Sequence, residues 1–457
     1  MIKKLTALLL SMCLMLSIFG INASAATKGI KLNKSSISLT VGKSYTLKRT
    51  VTGIKKGTIV WSTSDKSICT IAKGGIITAK KEGTAYITAT IKGTEYSAKC
   101  KVTVKAKDSN ADKTTTISSK TDAMDFVKKL KVGWNLGNTL DAISGTTLAS
   151  ETSWGNPKTT KEMIDTVKKA GFNTIRIPTS WGFHTDSNDI IDKEWMARVT
   201  EVVDYAIDND MYVILNTHHE GSWLIPSANK EQDVTKRYKT LWKQIANNFK
   251  DYDEHLIFEG MNEPRTEGSA KEWSGGTPAE REIVNNLNAA FVDTVRATGG
   301  NNKNRFLMIT PYAASSEDAA LKDLTIPNDK HIIVSVHAYL PYMMALNSDL
   351  KANAMNSSYE RDIQNFFKRL DTYFISKGIP VIVGEFGFLN KDNETERAKG
   401  TKFYLTEAKK YGIPCIWWDN GSTVLAAPGK EGFAILDRKN LTWHYKKILD
   451  AIMSVYN

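Results

Sequence analysis

The chain has 457 residues, with 61 Lys and Arg against 49 Asp and Glu, and four cysteines. This length accommodates one large domain and a smaller companion, while so few cysteines exclude a disulfide-built scaffold. The net charge of +12 is unevenly placed: residues 27–120 carry +14, the first 26 residues +2 and residues 121–457 −4.

Residues 1–26 have the layout of a secretory leader. Lys3 and Lys4 form the positive start, Leu5–Ile21 the apolar core, and 23-ASAA-26 a small-residue cleavage site. No other long uninterrupted apolar run follows. The mature protein is therefore expected to be secreted and extracellular, free of the membrane and monomeric. An exported chain with no recognition motif is not expected to bind nucleic acid. Cys13 leaves with the leader. Cys69 and Cys100 share one module, where their pairing stays open, and Cys415 lies in the apolar run 413-IPCIWW-418 as a buried residue.

Residues 27–105 read as an all-β module. The segments 37-ISLTVG-42, 44-SYTLKRTV-51, 59-IVWS-62, 68-ICTIA-72, 76-IITA-79, 85-AYITATI-91 and 97-SAKCKVTV-104 are short, rich in β-branched residues and separated by Gly and Lys turns at sandwich spacing. The stretch 59-IVWSTSDKSICTIAKGGIITAKKEGTAYITA-89 resembles the group 2 bacterial immunoglobulin-like domain. That resemblance implies a spacer, adhesion or wall-associated module. Its lysine content makes contact with anionic cell-wall polymers an expectation. The polar stretch 106-AKDSNADKTTTISSK-120 has no apolar periodicity and reads as a linker.

Over residues 121–457 strands alternate with helices. Eight apolar strand candidates appear: 131-KVGWNLGN-138, 173-NTIRIPTSW-181, 211-MYVILNTHH-219, 255-HLIFEGMNEP-264, 306-FLMITPYA-313, 332-IIVSVHAY-339, 380-PVIVGEFG-387 and 413-IPCIWWDNG-421. Amphipathic stretches between them predict helices over Thr160–Ala170, Lys193–Asn209, Val234–Phe249, Glu280–Thr298, Tyr359–Lys377 and Glu394–Lys410, and a last one over Trp443–Ser454 follows the eighth strand. The connection after the fifth strand has room only for a short helix. This alternation predicts an α/β fold, a (β/α)8 TIM barrel preceded by the small immunoglobulin-like sandwich.

Nearly every predicted strand ends in a polar or aromatic residue. Asn135 and Asn138 follow the first, Arg176 the second, His218 and His219 the third, Asn262 and Glu263 the fourth, His337 and Tyr339 the sixth, Glu385 the seventh and Trp418 the eighth. Parallel barrel strands bring all of these to one face. Two carboxylates facing each other across that mouth suit glycosidic bond cleavage, one as a protonated acid and one as an ionised nucleophile or base.

The segments 133-GWNLGNTLDA-142, 171-GFNTIRIPTSW-181, 213-VILNTHHE-220, 259-EGMNEPR-265, 335-SVHAYLPY-342, 382-IVGEFG-387 and 417-WWDNG-421 resemble glycoside hydrolase family 5. The pieces 151-ETSWGNP-157 and 417-WWDNG-421 resemble its branch of bacterial endoglucanases, lichenases and xyloglucanases. The resemblance implies a secreted endo-β-1,4-glucanase that retains anomeric configuration, with Glu263 as acid/base and Glu385 as nucleophile. It further implies that Asn262 holds the sugar 2-hydroxyl, that His337 orients the acid and that Tyr339 orients the nucleophile. A β-mannanase on the same frame, or a non-catalytic wall-polysaccharide-binding protein, is the alternative.

The environment supports the same division of roles. Glu385 must stay ionised, which a cation alongside favours, and Arg176 is the only Arg at a strand end. Glu263 must hold a proton, which burial or the charge of Glu385 favours. Trp418 offers a flat face for a sugar ring while Trp417 points into the core, and Trp154 and Trp181 extend the cleft. Adjacent residues on a strand point to opposite faces, so His218 and His219 are read as sugar contacts rather than ligands of one metal ion. No cofactor is expected.

Overall fold

A computed structural model describes residues 28–54, 57–105 and 122–456. The expected leader and linker lie outside these residues. The chain separates into two compact units, one on either side of residue 112.

The first unit contains β1 (Gly29–Leu32), β2 (Ser36–Thr40), β3 (Ser44–Thr46), β4 (Arg49–Thr52), β5 (Ile59–Thr63), β6 (Cys69–Ile71), β7 (Ile76–Ala79), β8 (Gly83–Ile91) and β9 (Ser97–Lys105). A four-stranded sheet β2-β9-β8-β5 accompanies a three-stranded sheet β3-β7-β6 and the pair β1-β4. Strict alternation along β8 and β9 buries Ala85, Ile87, Ala89, Cys100, Val102 and Val104 on one side. The predicted strand 44–51 is in fact two strands in different sheets. Leu47 breaks it, buried with its N–H donating to Gly75 O at 2.9 Å. Cys69 and Cys100 are buried free thiols, Cys69 opposite Ala79 in one sheet and Cys100 opposite Ile87 in the other.

The second unit is a closed, all-parallel barrel in the order β10 (Val132–Asn135), β11 (Thr174–Ile177), β12 (Tyr212–Asn216), β13 (Leu256–Glu259), β14 (Leu307–Ile309), β15 (Ile332–His337), β16 (Val381–Phe386) and β17 (Cys415–Trp417). Helices follow the strands as expected, and the fifth connection holds only the 3-10 turn Tyr312–Ala314 and the short helix Asp318–Lys322. Every barrel strand is buried on both faces, one toward the helices and one toward the barrel axis.

Two residues per inward step give the barrel interior its layers. Ile214, Ile257, Met308, Ile333, Ile382 and Ile416 form an apolar floor. Phe126, from the short helix Ala123–Val127, closes that floor by stacking on Phe306 with ring centroids 3.7 Å apart. Two residues further along their strands, Asn216, Glu259 and Ser335 follow Ile214, Ile257 and Ile333 on the same face, and Asn135 and Arg176 join them. A polar layer therefore lies directly above an apolar plug. None of the described helices is long and apolar enough to cross a membrane.

Candidate active site

Arg176 organises the polar layer. It is fully buried, and its Nε donates to Glu259 Oε2 at 2.7 Å. Nη1 reaches Glu385 Oε1 at 2.7 Å and Asn135 Oδ1 at 3.0 Å, and Nη2 donates to Asn262 Oδ1 at 2.7 Å. Glu259 is satisfied further by Asn216 Nδ2 at 3.0 Å and Ser335 Oγ at 2.6 Å. One cation thus holds two carboxylates, which is how a charge layer survives inside a barrel.

Irregularities in the sheet set the aim of Glu385. The ladder slips between Val336 and His337, so that His337 pairs with Glu385, and slips again between Val383 and Phe386 on the other side of β16. Tyr339 Oη donates to Glu385 Oε2 at 2.7 Å, so both Glu385 carboxylate oxygens are held, one by Arg176 and one by Tyr339. The buried Tyr339 hydroxyl is pushed well above its ordinary pKa by burial and then by the Glu385 charge, which keeps it a donor.

His337 Nδ1 lies 2.8 Å from Glu263 Oε1 and 3.6 Å from Glu385 Oε1. Within the group Glu263, His337 and Glu385, one donor atom from each lies within 4.8 Å of the others. Burial pushes the Glu263 carboxyl up, but the His337 hydrogen bond, the His337 charge and Arg265 outweigh it and bring it below the ordinary value. His337 shifts the other way: burial opposes its charge, and the neighbouring carboxylates raise it. The proton shared by the pair is therefore held on the histidine side.

Trp418 is nearly buried and packs with Leu389, Ala426 and Phe433. Its indole lies parallel to the His218 ring, with centroids 5.7 Å apart. Gly137 makes this possible, because a Cβ there would stand 2.7 Å from Trp418 Cη2. Trp417 is fully buried, with Nε1 donating to Phe433 O.

The histidine pair departs from the strand-alternation expectation. β12 ends at Asn216, so His218 and His219 leave the pleat, and their rings meet edge-to-face 4.5 Å apart. Together with Asp141 they bring three donor atoms within 4.8 Å of one another. Opposite facing therefore does not keep an ion away, but the hydrogen bonds do. Thr179 N donates to Asn216 Oδ1, which turns Asn216 Nδ2 toward His218 Nδ1 at 3.1 Å. That network assigns the His218 proton to Nε2, a donor rather than a lone pair. Burial, then the charges of His219 and Arg176, hold His218 well below the ordinary histidine value, so it stays neutral. Asp141, raised by burial, is already engaged by the N–H groups of Asn138 and Thr139.

Trp154 is 37% exposed and its ring stands 5.3 Å from that of His219, which puts it at the cleft. Trp181 corrects the sequence reading. It is fully buried with Nε1 donating to Asn216 O, and contributes to the wall behind the cleft instead of its surface. Its backbone N–H and that of Gly182 bind the buried carboxylate of Glu220, which also accepts from Trp223 Nε1. This internal clamp turns the chain inward at residue 181. Asn138 is half-buried at φ 56°, and its backbone N–H and carbonyl meet Asp141 and Asn156.

Residues 140–424 match the cellulase profile of glycosyl hydrolase family 5. Endoglucanase A of Ruminococcus albus is 47% identical over 359 residues, covering 76% of this chain and 98% of that protein. The chain belongs to glycosyl hydrolase family 5. Endoglucanase A of Clostridium longisporum is 50% identical over 350 residues, 74% of this chain and 67% of that protein. Among solved structures, a GH5-4 broad specificity endoglucanase of Clostridium longisporum superposes with a TM-score of 0.71 at 48% identity, covering 74% of this chain and 99% of that one. A GH5-4 enzyme of Ruminococcus champanellensis with bound cellotriose also gives 0.71, at 46% identity, covering 74% of this chain and 100% of that one. Residues 26–102 match the group 2 bacterial Ig-like domain.

Within this family 5 barrel, the sequence analysis placed Asn135 at the mouth but assigned no role to Glu259, Asn216, Ser335, Arg265 or Glu220. For Glu259 a signal existed, since a charged residue inside the run 256-LIFE-259 has no place in a buried strand without an internal partner.

Proposed function

We propose that the protein is a secreted endo-β-1,4-glucanase that cleaves internal glucosidic bonds of cellulose, mixed-linkage glucan or xyloglucan with retention of configuration. The observation that carries this reading is the approach of the Glu263 and Glu385 carboxylates within 4.8 Å. Retaining glycosidases hold their two carboxyls about 5–5.5 Å apart, whereas inverting ones leave room for a water at about 6.5–9.5 Å. The names of the relatives and the cellotriose-bound family 5 structure support a β-glucan as substrate.

Glu385 attacks the anomeric carbon as Glu263 delivers a proton to the departing glycosidic oxygen, giving a glycosyl ester and a shortened chain. Water then attacks the same carbon, its proton returning to Glu263 as the ester bond breaks. Arg176 and Tyr339 keep the Glu385 oxygens fixed for in-line attack. Sugar binding displaces water around Glu263 and disfavours its charge, which moves the shared proton from His337 to the acid. Asn262 Oδ1 is taken by Arg176, so its Nδ2 is left to donate to the sugar 2-hydroxyl. His218 donates from Nε2, and Trp418 supplies the stacking face.

Secretion is supported by the leader layout of residues 1–26. The basic module is proposed to contact acidic wall polysaccharide. Exposed Lys99, Lys101 and Lys105 alternate along β9, and the exposed Tyr86 stands opposite Lys101 on β8. Neither strand carries an acidic residue. Full-length K99E/K101E protein should pellet less with an insoluble polyuronate than wild type; equal pelleting refutes the contact.

Reducing-sugar release from carboxymethylcellulose, with E385A alongside, tests the activity. Release by wild type alone supports the proposal. Release from mannan and not from glucan would make it a mannanase, and no release from any β-glycan would leave a binding protein.

A further inference from the structure

Lys391 stands in the loop beyond β16, the strand that carries Glu385, and is only 4% exposed. A lysine is almost never buried this far without a partner for its charge. Here the partners are main-chain carbonyls. Nζ donates to Met343 O at 2.7 Å, Asp349 O at 2.7 Å and Ala352 O at 3.0 Å, so three N–H groups meet three acceptors. All three carbonyls belong to the segment that leaves β15. Neighbours of Lys391 add to the grip: Leu389 N donates to Ala345 O at 3.1 Å, and Asn393 Nδ2 donates to Asn353 O at 2.7 Å. The gripped segment has little regular structure of its own. Its helix, Tyr342–Ala345, is one turn long, and Tyr342, Met343 and Leu350 are exposed.

This segment begins at Tyr339, whose Oη donates to Glu385 Oε2. Up to Ala338 the barrel holds the chain: Ala338 N donates to Glu385 O at 3.0 Å, and Tyr404 Oη donates to Ala338 O at 3.0 Å. Beyond that point the ladder ends, and residues 389–393 supply the main-chain anchors. The Tyr339 ring and Leu346 pack together against the cluster of Leu389, Trp418, Ala426 and Phe433. Met343 lies between those two residues, so the carbonyl nearest Tyr339 in sequence is one that Lys391 holds. Hydrogen bonds from a charged donor are about twice as strong as neutral ones, and they fix direction as apolar contact does not. Loosening the segment would draw the Tyr339 hydroxyl off the carboxylate, because a hydrogen bond weakens once its length passes about 3.2 Å.

We infer that Lys391 is a positioning residue for the glucanase reaction: by holding the carbonyls of Met343, Asp349 and Ala352 it sets the Tyr339 hydroxyl against Glu385. This rests on the reading of Glu385 as the nucleophile. Lys391 acts through Tyr339 and not on the sugar.

The test follows the rate at which 2,4-dinitrophenyl 2-deoxy-2-fluoro-β-cellobioside labels Glu385 in the full-length protein. Its leaving group departs without a proton, so labelling reports the attack of Glu385 apart from the acid. K391M should lower the saturating rate about tenfold, part of the loss of about 100-fold that a 1 Å misplacement brings, and leave the half-saturating concentration within about twofold of wild type. Y339F removes the same contact outright, so K391M/Y339F should label no more slowly than Y339F alone. Equal saturating rates for K391M and wild type would overturn the inference. So would losses that multiply in the double variant, since Lys391 would then act apart from Tyr339. A raised half-saturating concentration at an unchanged rate would also overturn it, and would mark the segment as a sugar-binding one. Should K391M fail to fold, K391Q, whose amide keeps donors near the same carbonyls, carries the same comparison with Y339F. If wild type takes no label on Glu385, the nucleophile reading itself falls and takes the inference with it.

Discussion

Arg176 joins Glu259 and Glu385, at 2.7 Å to each, with no exposure of the Arg176 or Glu259 side chains. Glu385 is therefore positioned from beneath, through Arg176, by a carboxylate with no exposed surface. Removing Glu259 leaves a buried guanidinium with half its compensation, and breaking such a pair costs about 3–5 kcal/mol. E259A should show this loss in denaturant unfolding of the barrel. A change below about 1 kcal/mol, the scale of an exposed pair, would contradict the burial of this charge layer.

E385A should lose several orders of magnitude in turnover, because the covalent route is gone while Arg176 and Tyr339 remain. Azide, small enough to occupy the vacated space, should restore product as a glycosyl azide of inverted configuration. A near-normal rate without azide would contradict the nucleophile assignment.

The pH profile depends on the single proton held between Glu263 and His337. Its alkaline limb should lie above the ordinary histidine range of about 6.5, because the carboxylates raise His337. As pH rises through that value the pair loses the proton that Glu263 must deliver, and kcat/KM falls. In H337N nothing but Glu263 holds the proton, so the limb should move to lower pH. Profiles of wild type and H337N that superimpose would show that the pair does not titrate as one unit.

Gly137 tests the seat of Trp418. The Cβ of G137A would stand 2.7 Å from Cη2 and 2.9 Å from Asp419 O, so the indole must shift. A misplacement of about 1 Å at a sugar-binding face should lower kcat/KM about 100-fold. The thermal midpoint should fall as well, since the Cβ also presses on the Asp419 carbonyl, a backbone atom that gives way only at a cost. An unchanged kcat/KM would remove Trp418 from the binding face.

The barrel and the mouth residues were legible because both depend on local patterns. Eight apolar runs, all but the fifth closed by a polar or aromatic residue, are visible without knowing what touches what. The layer beneath the mouth was not. Glu259 finds Arg176, Asn216 and Ser335 on three other strands, and only closure of the barrel brings them together. Phe126 escaped for a different reason, since a helix of five residues is too short for apolar periodicity to register. Trp181 and the histidine pair misled because each was read as part of a strand. β11 stops at Ile177 and β12 at Asn216, and beyond those points alternation no longer decides where a side chain faces.

The most direct test traps the covalent intermediate. Wild-type protein treated with an activated 2-deoxy-2-fluoro-cellobioside, then examined by intact mass and peptide mapping, should gain one fluorocellobiosyl group on Glu385. Incubation with a sugar acceptor should release it. A label on Glu263 or on any other residue, or cleavage of β-glucan with inverted anomeric configuration and no label, would contradict the account.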